Sequence, residues 1–534
     1  MNNINPQFIK DLEIYTKVTP ILDSTITLFG RAKFYSYFER IMCNKKELLD
    51  RQKFLYDMAQ KYKVRNYMKK QLLTINKNYN SIKWYIEHNT NDVLYFKTNK
   101  FNSKFLLSLS NLASIYNPSL NVIIYVLIYL VFQYAGIQIN IKEYMIQMYN
   151  SQRTFIIFIM KLFIQYDNIN NIVSHILASS YSVYQVYNIY KSITYSIEHN
   201  KICQKEQDKA QKLKEVIDAV YNIIQIDVFS DTQRKDIVNK QIKILKDMFS
   251  YNNINNIGYV LALKKERSYY KYLVNCLEYV SEIDANIAIT NLLLYKGYTF
   301  PKYTFNSNHP IVEITGVRNP ILQENQIVND FSLGSHRLCI ITGPNTSGKS
   351  IYMRSVIIAI YLSQCLGVTC CQDITMTPFH HLFTYLNVPD VVGKDSLFEA
   401  EMDRCLEYIR ALENLPKDMF SFAIIDELFT GTDPKSGLSG SFAVLDYISR
   451  KSNSLLAIST HFHNITKLKR YKPHLVINKK FELVIKPSGE IIRTYKVLDG
   501  VSTQNVAIQL LKDKGFDMSI IALAHYYTEN IDKI

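Results

Sequence analysis

Two hydrophobic patterns divide the chain near residue 300. From about residue 20 to residue 300, apolar residues recur at intervals of three and four with charged residues between them, as in KEQDKAQKLKEVIDAVYNIIQ (205–225). This spacing predicts amphipathic helices. The stretch 264–296 reads as one helix of about 30 residues, roughly 45 Å long at 1.5 Å per residue. A helix of that length suits either a lever that carries a signal or the core of an ordinary bundle.

After residue 300 the pattern changes to short apolar runs separated by turns. Three of these runs end at small or acidic residues: HRLCIITG (336–343), FSFAIID (420–426) and SLLAIST (454–460). Runs of this kind are typical of the buried strands of a largely parallel α/β sheet. The predicted fold class is therefore α+α/β. Its predicted domains are an N-terminal tail (1–20), a long-helix domain (21–300) and an α/β domain (301–534).

One segment of the helical half departs from the amphipathic pattern. No charged residue lies between Lys104 and Lys142, and VIIYVLIYLVFQYAGI (122–137) is strongly apolar. A membrane-spanning helix needs about 20 predominantly apolar residues. The segment thus predicts either a membrane-inserted hairpin or a hairpin buried inside the helical domain. The polar flank SLSNLASIYNPSLN and Gln133 favour the buried hairpin, an apolar insertion at about 105–141.

Composition adds a basic charge and a reducing environment. The 534 residues predict two to four domains. The 62 Lys and Arg against 47 Asp and Glu give a net charge of +15, which indicates a polyanionic partner such as nucleic acid or an anionic membrane face. The abundance of Lys, Asn, Ile and Tyr also fits an AT-rich genome. The eight cysteines form no CxxC pair, which predicts buried thiols, and the N-terminus lacks a secretory signal.

GPNTSGKS (343–350) fits the phosphate-loop pattern GxxxxGK[ST] at every fixed position. It follows the strand-like LCIIT and precedes the helix-like IYMRSVIIAIYLSQ, which is the context that the pattern requires. Glycines let backbone N–H groups surround phosphates, and a helix N-terminus adds partial positive charge. We expect Lys349 to contact the β- and γ-phosphates and Ser350 to bind Mg²⁺. The other predicted nucleotide-binding residues of the loop are Gly343, Pro344, Asn345, Thr346, Ser347 and Gly348.

Two later strands end in residues suited to nucleotide hydrolysis. Asp426, at the end of FSFAIID, can hold the metal directly or through water. The adjacent Glu427 is placed to polarise an attacking water molecule. His461 follows the third strand-like run, in position to sense the γ-phosphate. These strand-end residues occur in the order that ABC-type ATPases use.

With these elements in order, the C-terminal half resembles the ATPase domain of the MutS family of DNA mismatch-repair proteins. The resemblance is carried by TGPNTSGKSIYMRSV (342–356), DSLFEAEM (395–402), DELFTGTDPKSG (426–437) and STHFHNIT (459–466). The sequence GTDP (431–434) is more similar to the MutS2 branch of the family, and SIYMRS (350–355) is more similar to the mismatch-repair branch. The resemblance implies ATP and Mg²⁺ as cofactors and an ABC-type P-loop domain with a C-terminal helical dimerisation segment.

The resemblance also implies roles for residues outside the loop. Ser396, in DSLFEAEM, would contact the nucleotide of the opposite subunit in a homodimer or a MutS-like heterodimer. Tyr495, in YKVLDG, occupies one of the family's two adenine-stacking positions. At the other position, where the family places an aromatic residue, this chain has Gln326.

The helical half resembles the MutS lever domain more faintly, at its start (28–55) and its end (277–301). Only about twenty residues precede that start, so we expect a shortened MutS-like protein without the N-terminal mismatch-recognition domain. KVRNYMKKQ (63–71) and KNYNSIKWY (77–85) interleave basic and aromatic residues. They predict either contacts to DNA phosphates or solvated helix faces.

The predicted function is ATP-dependent binding of double-stranded DNA by a dimeric, ATP-switched clamp in mismatch repair or related DNA maintenance. The expected location is the cytoplasm or another DNA-containing compartment inside the cell. Two alternatives stay open. One is a membrane-associated ABC-like ATPase anchored by the apolar insertion, and the other is a MutS2-like binder of branched or recombining DNA.

Overall fold

The computed structural model describes most of the chain and shows a mixture of helices and sheets, as the sequence predicts. The described residues are 4–86, 167–229, 232–254, 267–322, 326–344, 346–386, 397–486, 491–502 and 514–530, with isolated residues between 130 and 157 and at 508 and 511. The chain divides into two compact units. Unit 1 comprises Met1–Leu73, Ile226–Asp231 and Glu278–Ile534, and unit 2 comprises Thr74–Gln225 and Thr232–Leu277.

Helices account for the described part of the first 300 residues. They are α1 (Pro6–Asp11), a π-helical turn (Ile14–Val18), α2 (Thr19–Leu22), α3 (Leu28–Ser36), a 3₁₀ turn (Tyr37–Glu39), α4 (Lys45–Gln60), α5 (Tyr62–Lys77), α6 (Tyr79–Ile86), α7 (Asp167–Ile226), α8 (Thr232–Met248), α9 (Tyr251–Ile254) and α10 (Arg267–Tyr295). The long helix predicted over 264–296 is α10, with 29 residues. Among the helices that the structure describes, none combines the length and the apolar character needed to cross a bilayer. The apolar insertion predicted at about 105–141 lies outside the described residues, apart from Leu130 and Asn140.

The N-terminal residues form part of unit 1, so the prediction of a tail over 1–20 is wrong. Phe8, Leu12, Ile14 and Val18 are each at most 1% exposed and belong to the hydrophobic core of the unit. The ring of Phe8 packs edge-to-face on Tyr361, with centroids 5.2 Å apart. The side chain of Asn5 caps α1 by accepting a hydrogen bond from the N–H of Gln7. These residues fold because they bury apolar side chains against a surface that later parts of the chain provide.

The predicted boundary near residue 300 also differs from the structure, because both ends of the lever-like region lie in unit 1. Gly30 lies against Asp284, and a Cβ at residue 30 would approach the Asp284 carboxylate closer than any real contact allows. Arg51 donates to the Asn286 side chain over 2.6 Å, and its neighbour Gln52 donates to the Pro301 carbonyl over 2.6 Å. The start and the end of the lever-like sequence therefore contact each other directly.

Unit 2 is built from helices alone in its described part. Trp84 Nε1 on α6 donates to Glu206 Oε2 on α7 over 2.6 Å. The ring of Tyr85, also on α6, packs edge-to-face on Phe249, with centroids 5.6 Å apart. The α7 helix also contributes buried apolar residues, which include Ala210, Leu213, Val216, Ile217, Val220, Ile223 and Ile224.

The C-terminal part of unit 1 contains two sheets with helices between their strands. The strands are β1 (Lys302–Tyr303), β2 (Val312–Val317), β3 (Asn329–Leu333), β4 (Leu338–Thr342), β5 (Asp373–Met376), β6 (His381–Tyr385), β7 (Ser421–Asp426), β8 (Ser454–Ser459), β9 (Val476–Ile485) and β10 (Ile491–Asp499). The helices are α11 (Lys349–Cys365), α12 (Leu397–Asn414), α13 (Pro434–Ser449), α14 (Leu468–Tyr471) and α15 (Met518–Asn530), with a 3₁₀ turn at His463–Lys467. The smaller sheet has the order β1-β5-β2-β3 and the larger one β10-β9-β4-β8-β7-β6.

The larger sheet brings the ends of three predicted strands side by side. The strands β4, β8 and β7 are neighbours and run parallel. Ser459 on β8 lies opposite Ile341 on β4 and opposite Asp426 on β7. The three strands are buried almost throughout, which explains their continuous apolar runs. Because parallel strands end at one edge of a sheet, the residues that follow them share that edge.

Candidate functional site

The loop 343–348 joins β4 to α11 in the strand–loop–helix order that the sequence predicts. Thr346 and Gly348 have φ values of 67° and 102°, in the left-handed region. Backbone in this conformation next to a helix start turns successive N–H groups to one side, and the first four N–H groups of a helix have no partner within it. Ser347 Oγ is buried and has no hydrogen-bond partner among the described residues. The loop is therefore a concave group of donors suited to an anion.

Lys349 is the first residue of α11 and is 6% exposed. Its Nζ donates to the carbonyl oxygens of Gly343 and Pro344 over 2.8 and 3.1 Å. Burial lowers the pKa of Lys349, while the negative charges of Glu427 and Asp426 act in the opposite direction. Lys349 thus lies within electrostatic range of both predicted acids. Ser350 follows it in the first turn of α11.

Asp426 ends β7 and contacts the neighbouring strand. Its Oδ1 accepts a hydrogen bond from the hydroxyl of Ser459 at the end of β8. The carboxylate of Asp426 and the hydroxyl of Ser350 are both oxygen ligands, the type that Mg²⁺ prefers. Both residues predicted to bind Mg²⁺ thus carry the type of ligand atom that this ion takes.

Glu427 and His461 form a pair beyond the ends of β7 and β8. Glu427 Oε1 lies 2.9 Å from His461 Nε2. The residue has φ 61°, and its N–H donates to the Ser459 carbonyl over 3.0 Å, so the backbone turns out of the sheet at this point. The hydrogen bond from His461 lowers the pKa of Glu427; burial opposes this effect, and the charges of His461 and Lys349 add to it. An ionised carboxylate close to a phosphate loop can act as a general base.

A cavity of about 390 Å³ opens beside the loop, and Tyr495 lines it. The cavity is also lined by Gly348 and by apolar side chains, which include Val317, Leu322, Ile327, Ile351 and Phe481. A Cβ built on Gly348 would lie 3.2 Å from Tyr495 Cδ1, so the tyrosine ring lies directly against the loop. A largely apolar cavity of this kind, next to a loop with the phosphate-binding pattern, suits a nucleotide base.

Gln326 also lines the cavity, at the position where the sequence comparison expects an aromatic residue. Its side chain is held by the backbone of Asn319: Gln326 Oε1 accepts from the N–H over 2.6 Å, and Nε2 donates to the carbonyl over 3.0 Å. The amide therefore braces the cavity wall instead of offering a ring for stacking. Of the two stacking positions that the resemblance implies, only the position of Tyr495 carries an aromatic side chain in this chain.

Two predicted site residues, Asn345 and Ser396, lie outside the described residues. The helix that follows Ser396 is α12, and it carries a residue that the sequence analysis missed. Glu401 on α12 is 3% exposed. Its Oε1 accepts from the N–H and the hydroxyl of Thr430 over 3.2 and 3.0 Å, and its Oε2 accepts from the N–H of Gly431 over 3.1 Å. Glu401 thus connects α12 to the loop that follows Glu427. The sequence feature that could have identified Glu401 is its position within DSLFEAEM (395–402).

The two basic and aromatic stretches predicted to contact DNA face only partly outward. Arg65 is 3% exposed and donates to the carbonyls of Met58 and Ala59 at the end of α4. Lys69 donates to Asn291 Oδ1 over 3.0 Å. In the second stretch Lys77 and Lys83 are exposed, whereas the aromatic residues pack within unit 2. Several of these residues are therefore structural.

The seven cysteines with described side chains are free thiols, and six of them are buried, as the sequence predicts for these positions. Burial raises the pKa of Cys276 to about 12. Their buried positions make them part of the core.

Comparison with known proteins identifies the domain that carries this site. Residues 339–532 match the family model of MutS domain V. The DNA mismatch repair proteins MutS of Staphylococcus aureus strains MRSA252, JH9 and Newman are each 29% identical to this chain over 278 residues. The match covers 50% of this chain and 30% of each of these relatives, so the chain spans less than a third of their length in the match. Residues 339–532 of this chain therefore form a MutS domain V.

Proposed function

We propose that this chain is a MutS-type ATPase in which ATP binding and hydrolysis control binding to double-stranded DNA in mismatch repair or related DNA maintenance. The observation that carries the proposal is the meeting of Lys349, Glu427 and His461 at one edge of the large sheet. The glycine loop and the cavity of Tyr495 adjoin the same edge. In this proposal the binding site for the base, the binding site for the phosphates and the site of hydrolysis adjoin one another.

In this proposal the nucleotide lies along the loop 343–350, which comprises Gly343, Pro344, Asn345, Thr346, Ser347, Gly348, Lys349 and Ser350. The base stacks on Tyr495 in the cavity, and the phosphates accept the N–H groups at the start of α11. When the nucleotide binds, the ammonium group of Lys349 donates to the β- and γ-phosphates in place of the carbonyl oxygens of Gly343 and Pro344. Ser350 and Asp426 would hold Mg²⁺, which neutralises phosphate charge when it is bound.

Glu427 supplies the general base. Its pKa is lowered below that of an ordinary glutamate, which is itself ionised at neutral pH, so the carboxylate is charged and can accept a proton from an attacking water molecule. His461 orients that carboxylate through the 2.9 Å contact and lies where it can sense the γ-phosphate. Hydrolysis would then change contacts at the ends of β7 and β8.

We also propose that two subunits combine their sites. Ser396, just ahead of α12, would complete the nucleotide site of the opposite subunit. The C-terminal helix α15 has exposed apolar side chains, which include Met518, Ile520, Leu523, Tyr526 and Tyr527. A helix with such a surface suits packing against a second subunit. Either a homodimer or a MutS-like heterodimer satisfies this arrangement.

Two substitutions test the nucleotide site. Lys349→Ala should abolish productive ATP binding, because the loop loses its fixed cation. Glu427→Gln should bind ATP but hydrolyse it slowly, because it keeps the metal ligand Asp426 and removes the base. Lys417→Ala, at an exposed lysine, is the charge-matched control. Binding and turnover at the wild-type level in Lys349→Ala would overturn the proposed site.

DNA binding needs a separate measurement. The net charge of +15 supports binding through phosphate contacts, whose affinity falls steeply with salt. We would measure affinity for homoduplex, mismatched and branched DNA with and without ATP over a range of salt concentrations. Mismatched DNA bound most tightly favours the repair role, and branched DNA bound most tightly favours the MutS2-like role. If the affinity for DNA changes neither with salt concentration nor with ATP, the proposal of ATP-controlled DNA binding is wrong.

A further inference from the structure

Arg493, on the edge strand β10, reaches the glycine loop from outside the phosphate-loop motif. Its Nε donates to Thr346 Oγ1 over 3.4 Å. Thr346 is an exposed loop residue with φ 67°, and the Arg493 side chain is half-buried. Within the part of the chain that the structure describes, no carboxylate pairs with this guanidinium. A guanidinium without a carboxylate partner, next to a phosphate-loop pattern, is available to an anionic ligand.

The strand that carries Arg493 is held in place at this point. The pairing of β10 with β9 shifts register between Arg493 and Val497. Asn329 on β3 binds both sides of the irregular segment: its Nδ2 donates to the Tyr495 carbonyl over 2.9 Å, and its Oδ1 accepts from the N–H of Val497 over 2.9 Å. Tyr495 itself has φ 54°. The bulge is therefore a fixed feature of the hairpin.

The hairpin touches the glycine loop at two points. Tyr495 lies against Gly348, on the side of the cavity, and Arg493 contacts Thr346, two residues earlier in the loop. A nucleotide whose base stacks on Tyr495 extends its phosphates along the same loop. An arginine presents several N–H donors in a planar fork that matches phosphate oxygens.

We propose that Arg493 is a phosphate-binding residue that selects nucleoside di- and triphosphates over the nucleoside. This inference rests on the proposed ATP site and adds to it a cation from β10. The same hairpin would then read the base through Tyr495 and the phosphates through Arg493.

The experiment compares Arg493→Gln and Arg493→Lys with Arg470→Ala, an exposed arginine on α14 that serves as the charge-matched control. Affinities for ATP, ADP and adenosine are measured by displacement of a fluorescent ATP analogue, and thermal unfolding checks the fold of each variant. Loss of a charged hydrogen bond should weaken ATP and ADP binding about tenfold or more in Arg493→Gln. Adenosine binding should stay within about twofold, Arg493→Lys should lose less, and Arg470→Ala should match wild type.

Two outcomes would overturn the role of Arg493 alone: unchanged ATP affinity in Arg493→Gln, or an equal loss for ATP and adenosine. Equal losses would mean that Arg493 only braces the loop through Thr346. A wild-type protein that binds no ATP, or a Lys349→Ala variant that binds it normally, would instead overturn the proposed function. The two failures are therefore distinguishable in one set of titrations.

Discussion

Glu427 Oε1 lies 2.9 Å from His461 Nε2, across the carboxyl ends of two neighbouring parallel strands. The register of the sheet explains this contact. Asp426 and Ser459 lie opposite each other as the last residues of β7 and β8, so the residues that follow the two strands are close together. The protonation of Glu427 therefore depends on a residue from a separate strand. Any change that moves the end of β8 alters the strength of the candidate base.

The first prediction concerns pH. The hydrogen bond from His461 lowers the pKa of Glu427, so the carboxylate stays ionised down to a lower pH than an ordinary glutamate. Hydrolysis that needs this carboxylate is lost as the pH falls through the lowered pKa. His461→Ala removes the bond and should raise the pKa of Glu427, which shifts the acidic limb of the kcat–pH profile to higher pH.

His461→Asn is the matched control, because its amide can still donate a hydrogen bond but carries no charge. We expect its acidic limb to lie between those of wild type and His461→Ala. A His461→Ala variant with lower kcat and an unmoved acidic limb would show that His461 acts on the substrate without tuning Glu427.

The second prediction concerns Glu401, which accepts three hydrogen bonds from Thr430 and Gly431. Glu401→Gln replaces one acceptor oxygen by an NH₂ group that faces a donor, so one N–H of the loop is left unsatisfied at a cost of about 1–3 kcal/mol. The loop after Glu427 should lose its fixed position. We expect lower kcat with nearly unchanged ATP affinity.

Asp403→Asn serves as the control for Glu401→Gln, because Asp403 is an exposed acid on the same helix. Turnover and thermal unfolding are measured for both variants. If Glu401→Gln lowers the unfolding temperature but leaves kcat intact, the residue supports only the fold. If it lowers kcat while the unfolding temperature changes little, it positions the catalytic loop.

Much of the site could be predicted because it depends on local rules. Asp426 and His461 follow continuous apolar runs, and buried parallel strands end at one edge, so their approach follows from the fold class. Lys349 could be predicted from the phosphate-loop pattern together with the strand before it and the helix after it. Residues that are far apart in the sequence thus meet at the candidate nucleotide site because the strands that precede them are neighbours in one sheet.

The remaining features depend on contacts between distant parts of the chain. The apolar residues of 4–22 form no continuous run, and only the surface around Tyr361 explains their burial. Glu401 looks like one acid among several on an amphipathic helix until the loop at Gly431 is placed beside it. Arg65 reads as a phosphate contact but instead binds carbonyls at the end of α4.

The third prediction tests the N-terminal residues. Phe8 is fully buried against Tyr361, so Phe8→Ala should lower the free energy of unfolding by about 3–5 kcal/mol. Ile21 is 41% exposed, and Ile21→Ala should change the free energy of unfolding by no more than about 0.5 kcal/mol. Urea unfolding of the full chain compares the two. Equal, small effects would mean that residues 4–22 do not contribute to the core of unit 1.

The fourth prediction concerns the shared site. If Ser396 acts on the opposite subunit, Ser396→Ala should bind ATP nearly as well as wild type but turn it over slowly. Lys349→Ala fails for a different reason, because its own loop cannot hold the phosphates. The two defects therefore lie in different halves of one composite site, and each variant keeps the half that the other lacks.

Mixing the two variants tests this geometry. In a mixed dimer the Lys349→Ala subunit offers its intact Ser396 to the intact loop of the Ser396→Ala subunit, so one complete site forms. The other site carries both defects, and ATPase activity should therefore return in part, toward half that of the wild-type dimer if all dimers were mixed. Differently tagged subunits, purified as mixed dimers, allow the measurement. If mixed dimers form and stay as inactive as the two parents, Ser396 does not act across the interface, and each site is complete within its own subunit.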